Sequence, residues 1–354
     1  MIFPLRSLAA RAAAIALATA SLTGCDWIVM NPHGDIARQQ AQLILTSTFL
    51  MLLIIVPVIA LTLFFAWKYR QSNTKAEYAP DWDHSTRLEL VIWGAPLLII
   101  IALGTITWIS THKLDPYRPL ERIDAQRPVP ADVKPLVVHV VALDWKWLFV
   151  YPEQGIATVN ELAAPVDRPI QFRITSSNVM NAFYVPALAG MIYAMPGMET
   201  QLHAVINRPG SYEGMSSNYS GAGFSGMRFK FLGMSDGDFE QWVKTNRDSG
   251  QDLTRAAYLK LEQPSEREPV RRYGKVEGGL YEAVLNRCVD GEQMCQSQMM
   301  AIDAAGGGGK GGVTGLTQRP FAGAQQRAVV AALCTVDNPL GLPQSEPAEA
   351  AARN

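Results

Sequence analysis

Residues 41–67 read AQLILTSTFLMLLIIVPVIALTLFFAW, a run without a single Asp, Glu, Lys or Arg. Coiled as an α-helix, which rises about 1.5 Å per residue, a run of this length crosses about 30 Å of hydrocarbon with some tilt. Residues 90–111 form a second uncharged run of the same kind. One such run is often the buried helix of a soluble core. Two in succession point to a membrane hairpin. Trp67 and Tyr69 close the first run and Trp108 nears the end of the second, where aromatic rings favour the membrane surface. Pro57 and Pro96 lie inside the runs, and their missing donors predict kinks.

The connection, residues 68–89, carries Lys68, Arg70, Lys75 and Arg87, whereas the stretch before the first run carries mainly Asp35 and Arg38. The positive-inside bias therefore places the connection in the cytoplasm, and both the N-terminal side and everything after Thr111 outside.

Toward the N-terminus, Arg6 and Arg11 precede or open an apolar, small-residue stretch over residues 12–22. This is the charged region and short apolar region of a secretory signal. It ends Leu22-Thr23-Gly24-Cys25, which resembles a bacterial lipobox. Small residues let a peptidase seat the backbone, and the Cys25 thiol would carry a diacylglycerol thioether. An ordinary signal with a chance cysteine is the plainer alternative. The expectation is a signal peptide over residues 1–24 and a lipidated outer N-terminus over residues 25–40. Each buried lipid methylene contributes roughly 0.8 kcal/mol to anchoring.

Beyond the second run, residues 112–132 read as a linker rich in proline and charge, followed by strand-like segments at 136–143, 145–151, 170–175, 200–206 and 227–232. Short strands broken by Gly and Pro predict an antiparallel sandwich over residues 133–234. A helical extension is expected over residues 235–290, with helices at 235–245, 253–262 and 280–288. Residues 291–354, with Gly306 to Gly309 and an Ala, Pro and Glu-rich end, read as a flexible tail.

The chain has 354 residues, 48% hydrophobic and 18% charged, with a formal net charge of −1. That balance offers no basic field for nucleic acid. No HExxH, nucleophile elbow or phosphate loop is present, so hydrolytic and nucleotide chemistry find no support. Beyond Cys25 stand Cys288, Cys295 and Cys334. Three thiols cannot all pair within one chain: Cys288 pairs with Cys295, or Cys334 with either of them. His139 and His203 sit in strand-like segments, where a lone histidine is more often hydrogen-bonded or at the surface than a ligand. Trp145 and Trp147 alternate by two and are read as packing on one face.

Three stretches carry a family resemblance: Asp144-Trp145-Lys146-Trp147; Asn178-Val179-Met180-Asn181-Ala182-Phe183-Tyr184-Val185-Pro186; and Arg208-Pro209-Gly210-Ser211-Tyr212 with the loop from Gly214 to Met227. They resemble subunit II of the haem-copper respiratory oxidases, across roughly residues 20–245. The resemblance implies a helix hairpin followed by a periplasmic, all-β cupredoxin-like sandwich. In the copper-binding branch the loop reads Cys-Ser-Glu-x-Cys-Gly-x-x-His-x-x-Met. Here the bridging cysteines fall on Ser216 and Ser220, the glutamate on Asn218 and the loop histidine on Phe224. The earlier histidine falls on Asn181, and only Met227 remains. Gly221 and Ala222 still match. Soft thiolates and imidazoles are what copper requires, so no dinuclear copper site is expected.

The chain therefore resembles the copper-less branch, subunit II of the bo-type ubiquinol oxidases. That implies a bacterial inner-membrane complex that oxidises ubiquinol, reduces oxygen to water and pumps protons. This chain would carry no cofactor; haems and copper would sit in its partner, the catalytic subunit I. The resemblance also singles out Glu89, because a glutamate at the start of this helix occupies the mouth of a proton channel. The plainer account of Glu89 is an interfacial carboxylate, solvated or paired with Arg87. Two alternatives compete. A copper-containing cytochrome c oxidase subunit II needs the missing thiolates. A membrane-tethered lipoprotein binding module needs no second span.

Overall fold

The computed structural model describes residues 27–77, 81–291 and 294–303. The signal segment, Cys25, Cys334 and the tail from residue 304 lie outside the described residues.

Helix α1 (Asp35–Lys68) and helix α2 (Thr86–Lys113) contain the two uncharged runs and continue past them. Both are long and apolar enough to cross a membrane. Their apolar side chains face outward, as at Leu53, Val58, Leu98 and Ile100; a patch this size is not stable against water. Pro57 and Pro96 lie within the continuous helices.

The outer end of α1 is tied to the sandwich. The backbone N–H groups of His33 and Gly34 donate to Ala187 O at 3.0 and 2.9 Å, and Asn207 N donates to His33 O at 2.9 Å. A Cβ at Gly34 would stand 2.5 Å from Leu188 O and 2.7 Å from Val205 O, so only glycine allows this approach. The next residue, Asp35, is 1% exposed. Its carboxylate accepts from Arg122 Nε and Nη2 at 2.9 and 3.2 Å, and from Gln39 Nε2 at 2.8 Å. A carboxylate in the first helical turn also complements the helix dipole. The expected linker is thus pinned to the helix through Arg122.

The sandwich is built from β1 (Leu136–Leu143), β2 (Lys146–Tyr151), β3 (Ile156–Val159), β4 (Glu161–Pro165) and β5 (Ile170–Ser176), then β6 (Asn181–Tyr184), β7 (Ile192–Ala194), β8 (Thr200–Ala204), β9 (Gly210–Ser216) and β10 (Arg228–Met234). The extension adds α3 (Asp236–Arg247), β11 (Asp252–Leu253), α4 (Arg255–Glu262), β12 (Arg271–Tyr273), β13 (Lys275–Val276), α5 (Leu280–Leu285) and α6 (Gln296–Ile302). One sheet runs β12-β3-β2-β1-β5-β8 and the other β4-β10-β9-β6-β7. The sandwich is mixed rather than antiparallel. β1 runs parallel to β5, and β4 parallel to β10. Alternation along a segment reveals its faces but not its direction; here the chain crosses to the second sheet for β4 and returns to the first for β5, which fixes the parallel pairs.

Between the sheets lie Val138, Val140, Trp147, Phe149, Phe172, Phe183, Phe229 and Phe231. Phe183 stacks on Phe229 at 5.4 Å and takes the edge of Trp147 at 5.5 Å. The alternate residues of β1 and β2, namely Val141, Leu143, Leu148 and Val150, are covered by Tyr258, Leu261, Tyr273, Tyr281 and Val284 of the extension. Burial on both faces explains why β1 carries apolar, largely β-branched residues on both sides, with His139 as the one polar residue.

Ser235 caps α3 by accepting from Asp238 N. The helix expected from residue 253 starts at Arg255, because Leu253 pairs with Val276 instead. The helix expected over 280–288 ends at Leu285. Cys288 and Cys295 form a disulfide, which decides between the pairings left open by the sequence. It is followed by α6, whose first N–H, at Gln296, donates to Asn286 O at 2.9 Å. This helix lies inside the stretch read as tail.

Candidate functional site

The β1–β2 hairpin turns through Asp144 and Trp145, closed by the Leu143 to Lys146 pair. Trp145 has a φ of 64°, a left-handed conformation that costs a bulky residue about 1–3 kcal/mol. The surroundings hold it there. Its Nε1 donates to Ser220 O at 3.1 Å, and its ring lies so close to the loop that a Cβ on Gly223 would stand 2.5 Å from it. The two tryptophans therefore do not share a face as expected: Trp145 sits in the turn, and only Trp147 enters the core.

Beneath this indole the chain brings together the positions singled out in the sequence. Asn181 opens β6 and Ser216 ends β9, on neighbouring strands. Ser216 Oγ lies 3.2 Å from Asn181 Oδ1 and 3.2 Å from Asn218 O, and accepts from Ala182 N at 3.4 Å. Asn181 Nδ2 donates to Val179 O, and Asn218 Nδ2 to Met180 O, each at 3.1 Å. Met227 is 1% exposed, packed in the core, and its carbonyl accepts from Ser216 N at 3.2 Å. Phe224 packs against the ring of Tyr219 at 5.6 Å. The amides of Asn181 and Asn218 and the hydroxyl of Ser216 close on one another in a small polar network; the Ser220 hydroxyl is buried outside it without a hydrogen-bond partner among the described residues, and a phenyl ring stands at the network's edge. This donor set does not fit copper: a serine hydroxyl stays protonated at neutral pH, and phenylalanine has no lone pair. Among the described residues no cluster of three or more His, Cys, Asp or Glu is placed to hold a metal.

The histidines are engaged elsewhere. His139 stacks on Tyr281 at 3.9 Å, and burial, with Arg173 nearby, pushes its pKa down. His203 Nδ1 lies 3.1 Å from Pro116 O. Glu89 stands in the first turn of α2 and pairs with His84 at 2.8 Å, both about half exposed. Arg87, two positions away, is not its partner in the structure, because residues two apart point to different sides of a helix.

Buried polar groups escaped the sequence reading. Lys146 is 1% exposed; its Nζ donates to Gln263 O at 2.7 Å and Ser265 Oγ at 2.8 Å. Burial pushes its pKa down, against the pull of Glu268 and Asp144. Glu161 accepts from Trp242 Nε1 at 3.0 Å and Arg272 Nη2 at 2.9 Å. In a strand of alternating residues a lysine reads as solvent-facing, and only the chain folded over it says otherwise.

Comparison with known proteins places this geometry. The family described as "Cytochrome C oxidase subunit II, periplasmic domain" matches residues 153–231, and the "COX Aromatic Rich Motif" matches residues 247–292. The cytochrome bo(3) ubiquinol oxidase subunit 2 of Pseudomonas putida is 50% identical over 266 residues, covering 75% of this chain and 82% of the relative. The ubiquinol oxidase subunit 2 of Acetobacter aceti is 50% identical over 276 residues, covering 78% and 87%. The chain belongs to the ubiquinol oxidase subunit 2 family. A more distant member, the quinol oxidase subunit 2 of Bacillus cereus, is 39% identical over 249 residues and covers 69% and 81%. In the terms of this family the sandwich is the cupredoxin-like periplasmic domain of an oxidase subunit II. The aromatic-rich motif is the extension whose Tyr258, Tyr273 and Tyr281 roof the outer face of β1, β2 and β3.

Proposed function

We infer that this chain is subunit II of a proton-pumping ubiquinol oxidase and carries no redox centre of its own. The observation that carries the reading is the closed network of Asn181, Ser216 and Asn218, with Ser220 and Phe224, at the positions where the copper branch needs thiolates and imidazoles. An oxidase fed from a water-soluble cytochrome needs an outer copper relay. One fed by a lipid-soluble quinol receives electrons within the bilayer, at the catalytic subunit that holds the haems and copper. This subunit then serves assembly, stability and the shaping of proton uptake.

The test is a tagged complex purified from membranes. It is expected to co-isolate haem, to oxidise ubiquinol and to leave reduced cytochrome c untouched. Titrating the chain, separated from that complex in detergent, with copper is expected to give no intense thiolate-to-copper bands. Cytochrome c oxidation, or such bands, would overturn the reading.

In this reading α1 and α2 span the inner membrane with residues 68–89 in the cytoplasm. Residues 133–234 form the copper-free periplasmic domain, 235–290 its extension and 291–354 its tail. Residues 1–24 are removed and Cys25 becomes the lipidated N-terminus. Metabolic labelling with palmitate is expected to mark the wild-type chain and to lose that label in Cys25→Ala; equal labelling refutes the lipid. Assembly is expected to survive the substitution, since a helix hairpin anchors far more strongly than acyl chains.

Glu89 is assigned to proton uptake on the cytoplasmic side. A carboxylate beside hydrocarbon is costly unless it faces water or a partner, and a half-exposed contact with His84 contributes little to stability. Glu89→Ala is therefore expected to leave haem content and yield intact while turnover falls several-fold, with Glu89→Asp milder. Wild-type turnover in Glu89→Ala across the neutral pH range would reduce Glu89 to an interfacial charge.

A further inference from the structure

Where the outer ends of α1 and α2 meet the sandwich, a cavity of about 130 Å³ opens between them. Its wall includes Asp35, Lys113, Asp115, Arg118, Glu121 and Arg122, three cations and three anions. Most of this charge is already spent. Arg122 is held by Asp35, and Arg118 pairs with Glu121. Asp115 Oδ1 accepts the Tyr117 N–H at 2.9 Å. Lys113 and Asp115 enter no ion pair among the described residues, and both are exposed. The cavity wall therefore keeps one cation, Lys113, and one anion, Asp115, outside any ion pair among the described residues, with one Asp115 oxygen turned to the Tyr117 N–H.

Its depth in the membrane follows from the helices. The uncharged run of α2 ends at Thr111, two residues before Lys113. Trp108, 70% exposed, packs on His112 at 4.5 Å, an aromatic pair of the kind that marks the membrane surface. On α1, Asp35 lies six residues outside the start of its uncharged run, about 9 Å at helical rise. Lipid headgroups fill a layer of about 5–8 Å on each side of the hydrocarbon, so Lys113, about 3 Å past its run, stands within that layer and Asp35 at its outer edge. The cavity's volume suits a few waters or a small polar group and excludes acyl chains, which would lie along the exposed apolar sides of α1 and α2.

We propose that this cavity seats the headgroup of an aminophospholipid of the outer leaflet, a phosphoethanolamine group with its phosphate on Lys113 and its ammonium on Asp115. The charge arrangement selects the class. A phosphatidylglycerol headgroup offers Asp115 only neutral hydroxyl donors and leaves the carboxylate charge uncompensated. A quaternary ammonium cannot donate hydrogen bonds to a carboxylate. The proposal rests on the reading that α1 and α2 span the membrane.

The test uses the intact complex, extracted in mild detergent, stripped of lipid and titrated under native mass spectrometry with phosphatidylethanolamine, phosphatidylcholine or phosphatidylglycerol. A further arm uses free O-phosphoethanolamine. The wild-type complex is expected to hold one more phosphatidylethanolamine than either Lys113→Met or Asp115→Asn, with the affinity of that site falling about tenfold in each variant. Both side chains are exposed, so the variants fold. Equal uptake of phosphatidylethanolamine by wild type and both variants overturns the proposal, as does equal occupancy by phosphatidylglycerol. Binding of free O-phosphoethanolamine as tight as the lipid overturns the lipid source. Complex that extracts from membranes with haem yet shows no such site leaves the oxidase reading standing and removes only this one.

Discussion

Trp147→Ala lowers the stability of the sandwich by about 3–5 kcal/mol, the range for deleting a large buried aromatic side chain. Trp147 is fully buried. It sets its edge against Phe183 at 5.5 Å and Phe229 at 5.8 Å, and these two rings stack on each other between the sheets. Its backbone N–H donates to Asn160 Oδ1 at 2.9 Å, and Asn160 N donates back to Trp147 O at 2.9 Å. Removing the indole therefore opens a cavity at the crossing point of both sheets, where strands cannot close in without losing those bonds. Against a total stability of about 5–15 kcal/mol for a domain, the loss is a large fraction. Trp147→Phe keeps most of the aromatic volume and is expected to lose much less. Urea unfolding of the full chain in detergent, followed by tryptophan fluorescence and circular dichroism, measures both. A loss below about 1 kcal/mol for Trp147→Ala would mean that the packing around Phe183 and Phe229 does not depend on it.

Asp35→Ala frees the outer end of α1 from the sandwich, at an expected cost of about 3 kcal/mol, the low end for breaking a buried ion pair. The carboxylate is almost fully buried while Arg122 is 34% exposed, so the orphaned guanidinium can turn to water and soften the loss. The variant also removes the acceptor for Gln39 and the anion in the first turn of α1. Asp35→Asn should fall between. Adding Arg122→Met to Asp35→Ala is expected to recover part of the stability, because the second change removes the unpaired charge and fills its space with apolar atoms. Limited proteolysis of the segment around Arg122 reads the same event locally. If Asp35→Ala leaves both the melting transition and the cleavage pattern unchanged, the glycine contact at Gly34 alone holds the helix in place.

How far the molecule could be read beforehand differs between its parts, for physical reasons. The uncharged runs inside α1 and α2 need nothing but their own length and composition, so the existence of two apolar helices was legible, although the helices begin six and four residues before the runs. β1, β5 and the Ser235 cap of α3 were also legible, because β-branched runs and N-cap chemistry are local signals. Strands of three or four residues such as β6 and β7 carry too short a pattern to announce themselves. The loop from Gly214 to Met227 disclosed which donors it lacks, since a serine in place of a cysteine is a fact of composition.

What the sequence by itself determined was chemistry and periodicity: the apolar spans, the strand-like runs, the absence of thiolates and imidazoles from the loop. The tertiary structure alone decided the rest. The parallel pairing of β1 with β5 and of β4 with β10 depends on how the chain crosses between sheets, which no window of residues encodes. Trp145 takes a left-handed turn because Gly223 and the carbonyl of Ser220 receive its ring, across a separation of 75 residues. Lys146 is buried because Gln263 and Ser265 return over it, although its place in the strand marks it as solvent-facing. Asp35 and Arg122, 87 residues apart, become one ion pair only when helix, linker and sandwich meet. Local pattern fixes what a residue prefers; long-range contact fixes which partner satisfies it, and buried polar groups must find theirs wherever the fold brings them.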